Sequence, residues 1–151
     1  GAWGRRLHAL SLGLLGLGYL AAPAAVSWIP RAERSGWALL ANEVAKQRPD
    51  FVVGREYHLA SQLAYWLHPL PAVEFTAVGH PSKSFPHWWR KEDHLGKNAV
   101  VVYDVKHWPL YKDRVDRAFE RVDPPVEVAV PRFGGKTEHY YLLRAWGYKG
   151  P

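Results

Sequence analysis

Three histidines, His80, His87 and His94, recur at intervals of seven in one Pro- and Trp-rich stretch of the chain. Imidazoles are common metal ligands, so the spacing invites a metal reading, and solvated or capping histidines are its rival. Glu92 and Asp93 sit side by side behind Arg90 and Lys91, an acid pair that also reads as a solvated, charge-balanced face. Phe85 to Lys91 places Trp88 and Trp89 directly before two cations. Flat rings beside cations suit sugar faces, lipid headgroups or phosphates. The competing reading packs one Trp on the domain and the other on a membrane interface.

Several chemistries are excluded. The chain has no Cys, which removes disulfides, thiolate metal sites and a cysteine nucleophile. No strand is followed by G-x-G-x-x-G, and there is no P-loop, G-x-S-x-G or H-E-x-x-H. No cofactor is expected. Gly13, Gly16 and Gly18 fall within an apolar run, where they mean close packing or flexibility rather than phosphate binding.

The elements that must position these residues follow from periodicity. Ser35 starts a helix with Trp37, Leu40, Ala41 and Val44 at helical spacing, ending near Arg48-Pro49. Asp50–Gly54 reads as a buried strand, and Glu56–Leu67 as a helix with Leu59, Leu63, Trp66 and Leu67 on one face. Val73–Val78 is a second strand and Asn98–Tyr103 a third. Leu110–Val122 reads as a third helix, stopped by Pro124-Pro125. Val126–Phe133 and Thr137–Trp146, joined through Gly134-Gly135-Lys136, form an antiparallel hairpin. The alternation predicts an α/β fold: a small, mostly parallel sheet with flanking helices and a C-terminal β-hairpin. Ligands in such sheets sit beyond the carboxyl ends of the parallel strands. Those ends are Gly54-Arg55-Glu56, Gly79-His80 and Asp104–His107, and the long loop of residues 79–97 is the expected site.

The 151 residues suit one domain of ordinary size. Lys and Arg number 20 against 14 Asp and Glu. The 24 residues Leu7–Pro30 contain none of these, long enough to cross a bilayer core that needs about 20. A buried core helix, a cleaved signal peptide ending near Ala21–Ala25 and a spanning helix with Tyr19 and Trp28 at its interfaces are the three readings. The expected division is a terminal transmembrane helix over 1–30 and an extracytoplasmic α/β domain over 31–151. With no Met in the sequence, further protein is expected upstream. After residue 30 the balance is 18 basic to 14 acidic with no Lys/Arg run, which suits an anionic surface or substrate and predicts no nucleic-acid partner.

Arg55–Leu67 with Pro69, Pro71 and the following strand resembles the tail domain of bacterial family 39 glycosyltransferases, the dolichyl-phosphate-mannose-protein mannosyltransferase-like membrane enzymes. Ser84–Trp89, the strand Leu95–Tyr103 and the aromatic, glycine-ended Tyr140–Gly150 are also similar to that tail, so the likeness spans about residues 35–150. It departs where the family often has Asn-Gln-Tyr before its Trp and this chain has Phe85-Pro86-His87-Trp88. The resemblance implies a transferase using a polyprenyl-phosphate-linked sugar donor, in the bacterial inner membrane, with this part facing the periplasm or cell exterior. Its catalytic acid lies in an early loop, so no catalytic residue is expected in this chain. The expected partners are the lipid bilayer, the upstream transmembrane region of the same protein and the donor. The domain is expected to cover the active site or assist acceptor binding. The candidate substrate-binding residues are Arg55, Tyr57, His87, Trp88, Trp89 and Arg90, and a secreted or membrane-anchored binding module without catalysis is the alternative.

Overall fold

The structure, a computed structural model, describes residue 11 and residues 31–81, 89–132 and 135–151. The expected membrane segment (apart from Ser11), His87 and Trp88 lie outside the described residues. Among the described residues no helix is long and apolar enough to cross a membrane.

Helix α1 (Arg31–Lys46) leads into β1 (Phe51–Gly54), α2 (Tyr57–Leu67) and β2 (Ala72–Glu74). Then come β3 (Ala99–Asp104), α3 (Trp108–Ala118), β4 (Phe119–Val122), β5 (Val126–Pro131) and β6 (Thr137–Tyr148). One six-stranded sheet runs in the order β2-β1-β3-β6-β4, with β5 also paired to β6. The fold is mixed α/β, as the periodicity predicts, but the sheet is not mostly parallel. β1 pairs in parallel with β2 and β3, whereas β6 pairs antiparallel with β3, β4 and β5. The physical reason is connection length. The long crossovers between β1, β2 and β3 keep those strands parallel, whereas the short turn between β5 and β6 reverses the chain; β4 and β5 run in the same direction, one after the other along β6.

Strand β1 is apolar throughout, and β3 is buried up to its last residue, Asp104, because both faces are covered. Val52, Val100, Val102 and Leu142 meet Leu40 and Val44 of α1 and Leu59 and Leu63 of α2. On the other face Phe51, Val53, Val101, Tyr103 and Leu143 meet Val115 and Ala118 of α3.

Three boundaries differ from the periodic reading. Helix α1, described over Arg31–Lys46, already includes the four residues before Ser35. Strand β2 stops at Glu74, and Phe75–Val78 forms a 3-10 turn. The Phe75 ring packs edge-on against Tyr103 at 4.9 Å and Tyr111 at 5.4 Å, pulling the chain off the sheet edge. Gly79 closes that turn at φ 75°, a left-handed conformation that glycine adopts without strain. Finally, α3 ends at Ala118, and Phe119–Val122 is a strand. Its spacing continues the helical stripe, but pairing wins: Phe119 faces Tyr148 and Arg121 faces Trp146 in the ladder.

Candidate functional site

An open cleft of about 1060 Å³ lies at the carboxyl ends of β1 and β3. Its walls come from three sources. Arg55 and Glu56 follow β1, Asp104 ends β3 and His107 closes the short 3-10 turn Val105–His107. Trp37 of α1 and His58 of α2 form one side, and their rings meet edge-on at 5.3 Å. The hairpin supplies Arg132, Glu138, His139 and Tyr140, because the β3–β6 register sets Tyr140 opposite Asp104.

Two charged clusters organise this space. Arg55, only 12% exposed, sends Nη2 to Asp104 Oδ2 at 3.0 Å and also pairs with Glu56. Asp104 Oδ1 accepts the His107 backbone N–H at 3.1 Å and pairs with His107 Nδ1. A carboxylate on Nδ1 orients the ring and leaves Nε2 for another partner. The Arg55 Nε is buried without a hydrogen-bond partner among the described residues. In the second cluster Arg132 lies over the Trp37 ring at 3.8 Å. It donates from Nε to Glu138 at 2.7 Å and from Nη2 to the Tyr140 hydroxyl at 2.8 Å. Tyr140 donates in turn to Glu138 at 2.7 Å. A further acid–imidazole pair, Glu127 with His139 Nδ1 at 2.6 Å, stands on the hairpin.

The second cluster has a titration signature. Burial pushes the Glu138 carboxyl up, but the Tyr140 and Arg132 hydrogen bonds, with the charges of Arg132 and His58, hold it below the usual carboxylate value. Burial and the Glu138 hydrogen bond push Tyr140 up to about 12. A carboxylate whose folded value is depressed stabilises the fold above its unfolded value, and that contribution is lost as pH falls through the folded value. Wild-type stability should therefore drop through the acidic limb more steeply than that of Glu138→Gln. Urea melts of both proteins between pH 7 and pH 3 check this, and parallel curves would refute it.

The arrangement offers guanidinium and imidazole donors beside carboxylate acceptors, a set suited to a polar, partly anionic ligand. Thr137 is the only hydroxyl-bearing aliphatic side chain in the described lining, and no base is paired with it. Among the described residues no three His, Asp or Glu side chains are grouped to hold a metal ion. His80 Nδ1 instead sits 3.0 Å from the Pro81 carbonyl, and His94 stacks on Trp89 at 4.0 Å.

The expected site residues part company. Arg55 is in the cleft. Tyr57 opens α2 with 58% of its surface exposed, outside the cleft lining. Trp89 is half-buried against Phe51 at 5.2 Å, His94 and Tyr148, at the amino end of β1. Arg90 is exposed and only loosely paired, 3.8 Å from Asp93. The loop of residues 79–97 is thus not a carboxyl-edge site along its described part. A connection between parallel strands must return to the amino edge, so its later residues pack there. Asp104 and His107 lie at and just after a strand end that the periodicity marks, whereas Arg132, Glu138 and Tyr140 carry no motif and become neighbours only through the β6 register.

Compared with known proteins, the chain matches no family model, no curated protein and no solved structure.

Proposed function

We propose that residues 31–151 are the extracytoplasmic domain of a membrane glycosyltransferase that uses a polyprenyl-phosphate-linked sugar, and that the cleft holds the sugar-phosphate end of a ligand at the membrane surface. One observation carries the reading: the cleft lies at the end of the domain nearest the first described residues of α1, with Trp37 in its wall, and in the sequence those residues directly follow 24 uncharged ones. A spanning segment there brings the cleft close to headgroups. Guanidinium and imidazole groups suit a phosphate, and Asp104 and Glu138 suit sugar hydroxyls. The residue resemblance supplies the reaction class. No residue of this chain is assigned to bond breaking.

Titration calorimetry of the full chain in lipid nanodiscs with mannose 1-phosphate tests the cleft. Binding is expected, and Arg55→Gln should weaken it about tenfold, the loss of one charge-assisted hydrogen bond. No heat of binding, or equal affinity in the variant, overturns the assignment. The lack of a paired nucleophile and base among the described cleft residues favours a second reading, a binding module without an enzymatic parent. Binding by the whole protein without transfer from a polyprenyl-phosphate sugar would select it.

A further inference from the structure

From Tyr57 to Val73 the chain has 17 residues with no Asp, Glu, Lys or Arg. A charge-free stretch of this length normally belongs to a core. Here only one stripe of α2 is buried, through Leu59, Ala60 and Leu63. The opposite side is on the surface: Tyr57, Tyr65 and Trp66 are exposed, as are His68, Pro69 and Pro71 in the turn that follows. Tyr65 projects with 76% of its surface exposed, its ring edge-on to Trp66 at 5.5 Å. Elsewhere the outer helix surfaces are charged: α3 carries Lys112, Asp113 and Arg117 outward.

We propose that this face of α2 lies on a lipid bilayer, with Tyr65 and Trp66 seated in the headgroup layer. Rings with one polar atom and an apolar body are favoured at that depth, where one end stays wet. Charged side chains, absent from the face, would resist it. The ridge projects rather than forming a groove, which suits a fluid layer better than a fitted protein partner. The position of the face agrees. Helix α1 packs against α2, and its described residues directly follow the 24 uncharged ones in the sequence, so a bilayer reached by that segment adjoins this helical layer of the domain. His58, at the start of α2, belongs to the cleft wall, while Tyr65 and Trp66 lie toward the other end of the helix, so the bilayer would run along its length. The inference rests on residues 7–30 reaching a bilayer and needs nothing from the ligand of the cleft.

The absence of Cys makes the test direct. Ser61 stands one turn before Tyr65 on the same side of α2, and Asp113 is exposed on α3 across the sheet. Nitroxide labels on Ser61→Cys and on Asp113→Cys are compared in the full chain, reconstituted in phosphatidylcholine–phosphatidylglycerol vesicles. Access to a water-soluble nickel complex should fall several-fold at position 61 relative to position 113, with oxygen access raised. Adding Tyr65→Gln and Trp66→Gln should return position 61 to aqueous values. Equal nickel access at the two positions overturns the proposal, and so does shielding at position 61 that persists unchanged in the double Gln variant. Shielding that appears only when the upstream part of the protein is present assigns the face to a protein contact, and also overturns it. A chain that fails to float with vesicles overturns this inference and the membrane anchor together; a floating chain with an aqueous label overturns this inference alone. If the double Gln variant unfolds, the comparison of positions 61 and 113 in the otherwise unchanged chain decides.

Discussion

Phe51→Ala should lower the stability of the domain by about 3–5 kcal/mol, the usual loss for a buried aromatic cut to a methyl. Phe51 is fully buried and sits amid four rings: Trp89 at 5.2 Å, His94 at 5.0 Å, Tyr148 at 5.4 Å and Phe119 at 6.3 Å. These rings come from the loop before β3, from β4 and from the end of β6, so the cavity cannot close by moving one segment. Against a typical total of about 5–15 kcal/mol, the variant stands near the edge of folding. Urea denaturation read by far-ultraviolet circular dichroism checks the figure. A loss below about 1 kcal/mol would show that the cluster repacks freely. Trp89→Ala should weaken the same cluster, less so because Trp89 is only half-buried.

Gly54→Val should damage stability and the cleft together. A Cβ at Gly54 would stand 2.7 Å from the Ala60 backbone nitrogen and 2.9 Å from its Cα, closer than real Cβ atoms approach. Backbone cannot rotate aside as a side chain does, so α2 has to move away from the end of β1. Overpacking of this kind costs about 1–3 kcal/mol, and a displaced helix exposes more. Arg55 is the next residue, so its 3.0 Å pairing with Asp104 shifts as well. The expected outcome is a lowered melting temperature with loss of mannose 1-phosphate binding by any molecules that remain folded. A variant that keeps both would show that α2 yields without disturbing the cleft.

Much of the architecture was readable where local pattern and burial agree. The valine-rich runs at Phe51–Gly54 and Ala99–Asp104 form strands because a doubly covered strand has no polar side to show. Helix α2 follows its Leu59–Leu63 stripe to within a residue of the expected start. Phe119–Val122 was not readable, since helix and strand both accept its spacing and only the partner strand decides. The same holds for the cleft. Arg55 and Asp104 follow from the rule about strand ends, but Glu138 and Tyr140 reach them through an antiparallel register that no local signal encodes. Trp89 and Arg90 show the converse. Their types suggested ligand contact, while the path of the chain put one in the core's edge and the other in solvent.

Strand β6 bonds to β3 along one side and to β5 and then β4 along the other. Among the described residues it is the only bridge between the parallel half of the sheet and the two strands that follow α3. Until it inserts, β3, β4 and β5 each present an open row of backbone donors and acceptors. Its pairings with β3 close loops of roughly 40 residues, and such distant contacts slow the search for the native sheet. Arrival of β6 should therefore be a late and rate-limiting event, and the interval before it the time of greatest risk. Strands waiting with free edges pair readily with those of neighbouring chains. Whatever hastens the insertion of Thr137–Tyr148 shortens that exposure and raises the yield of folded protein.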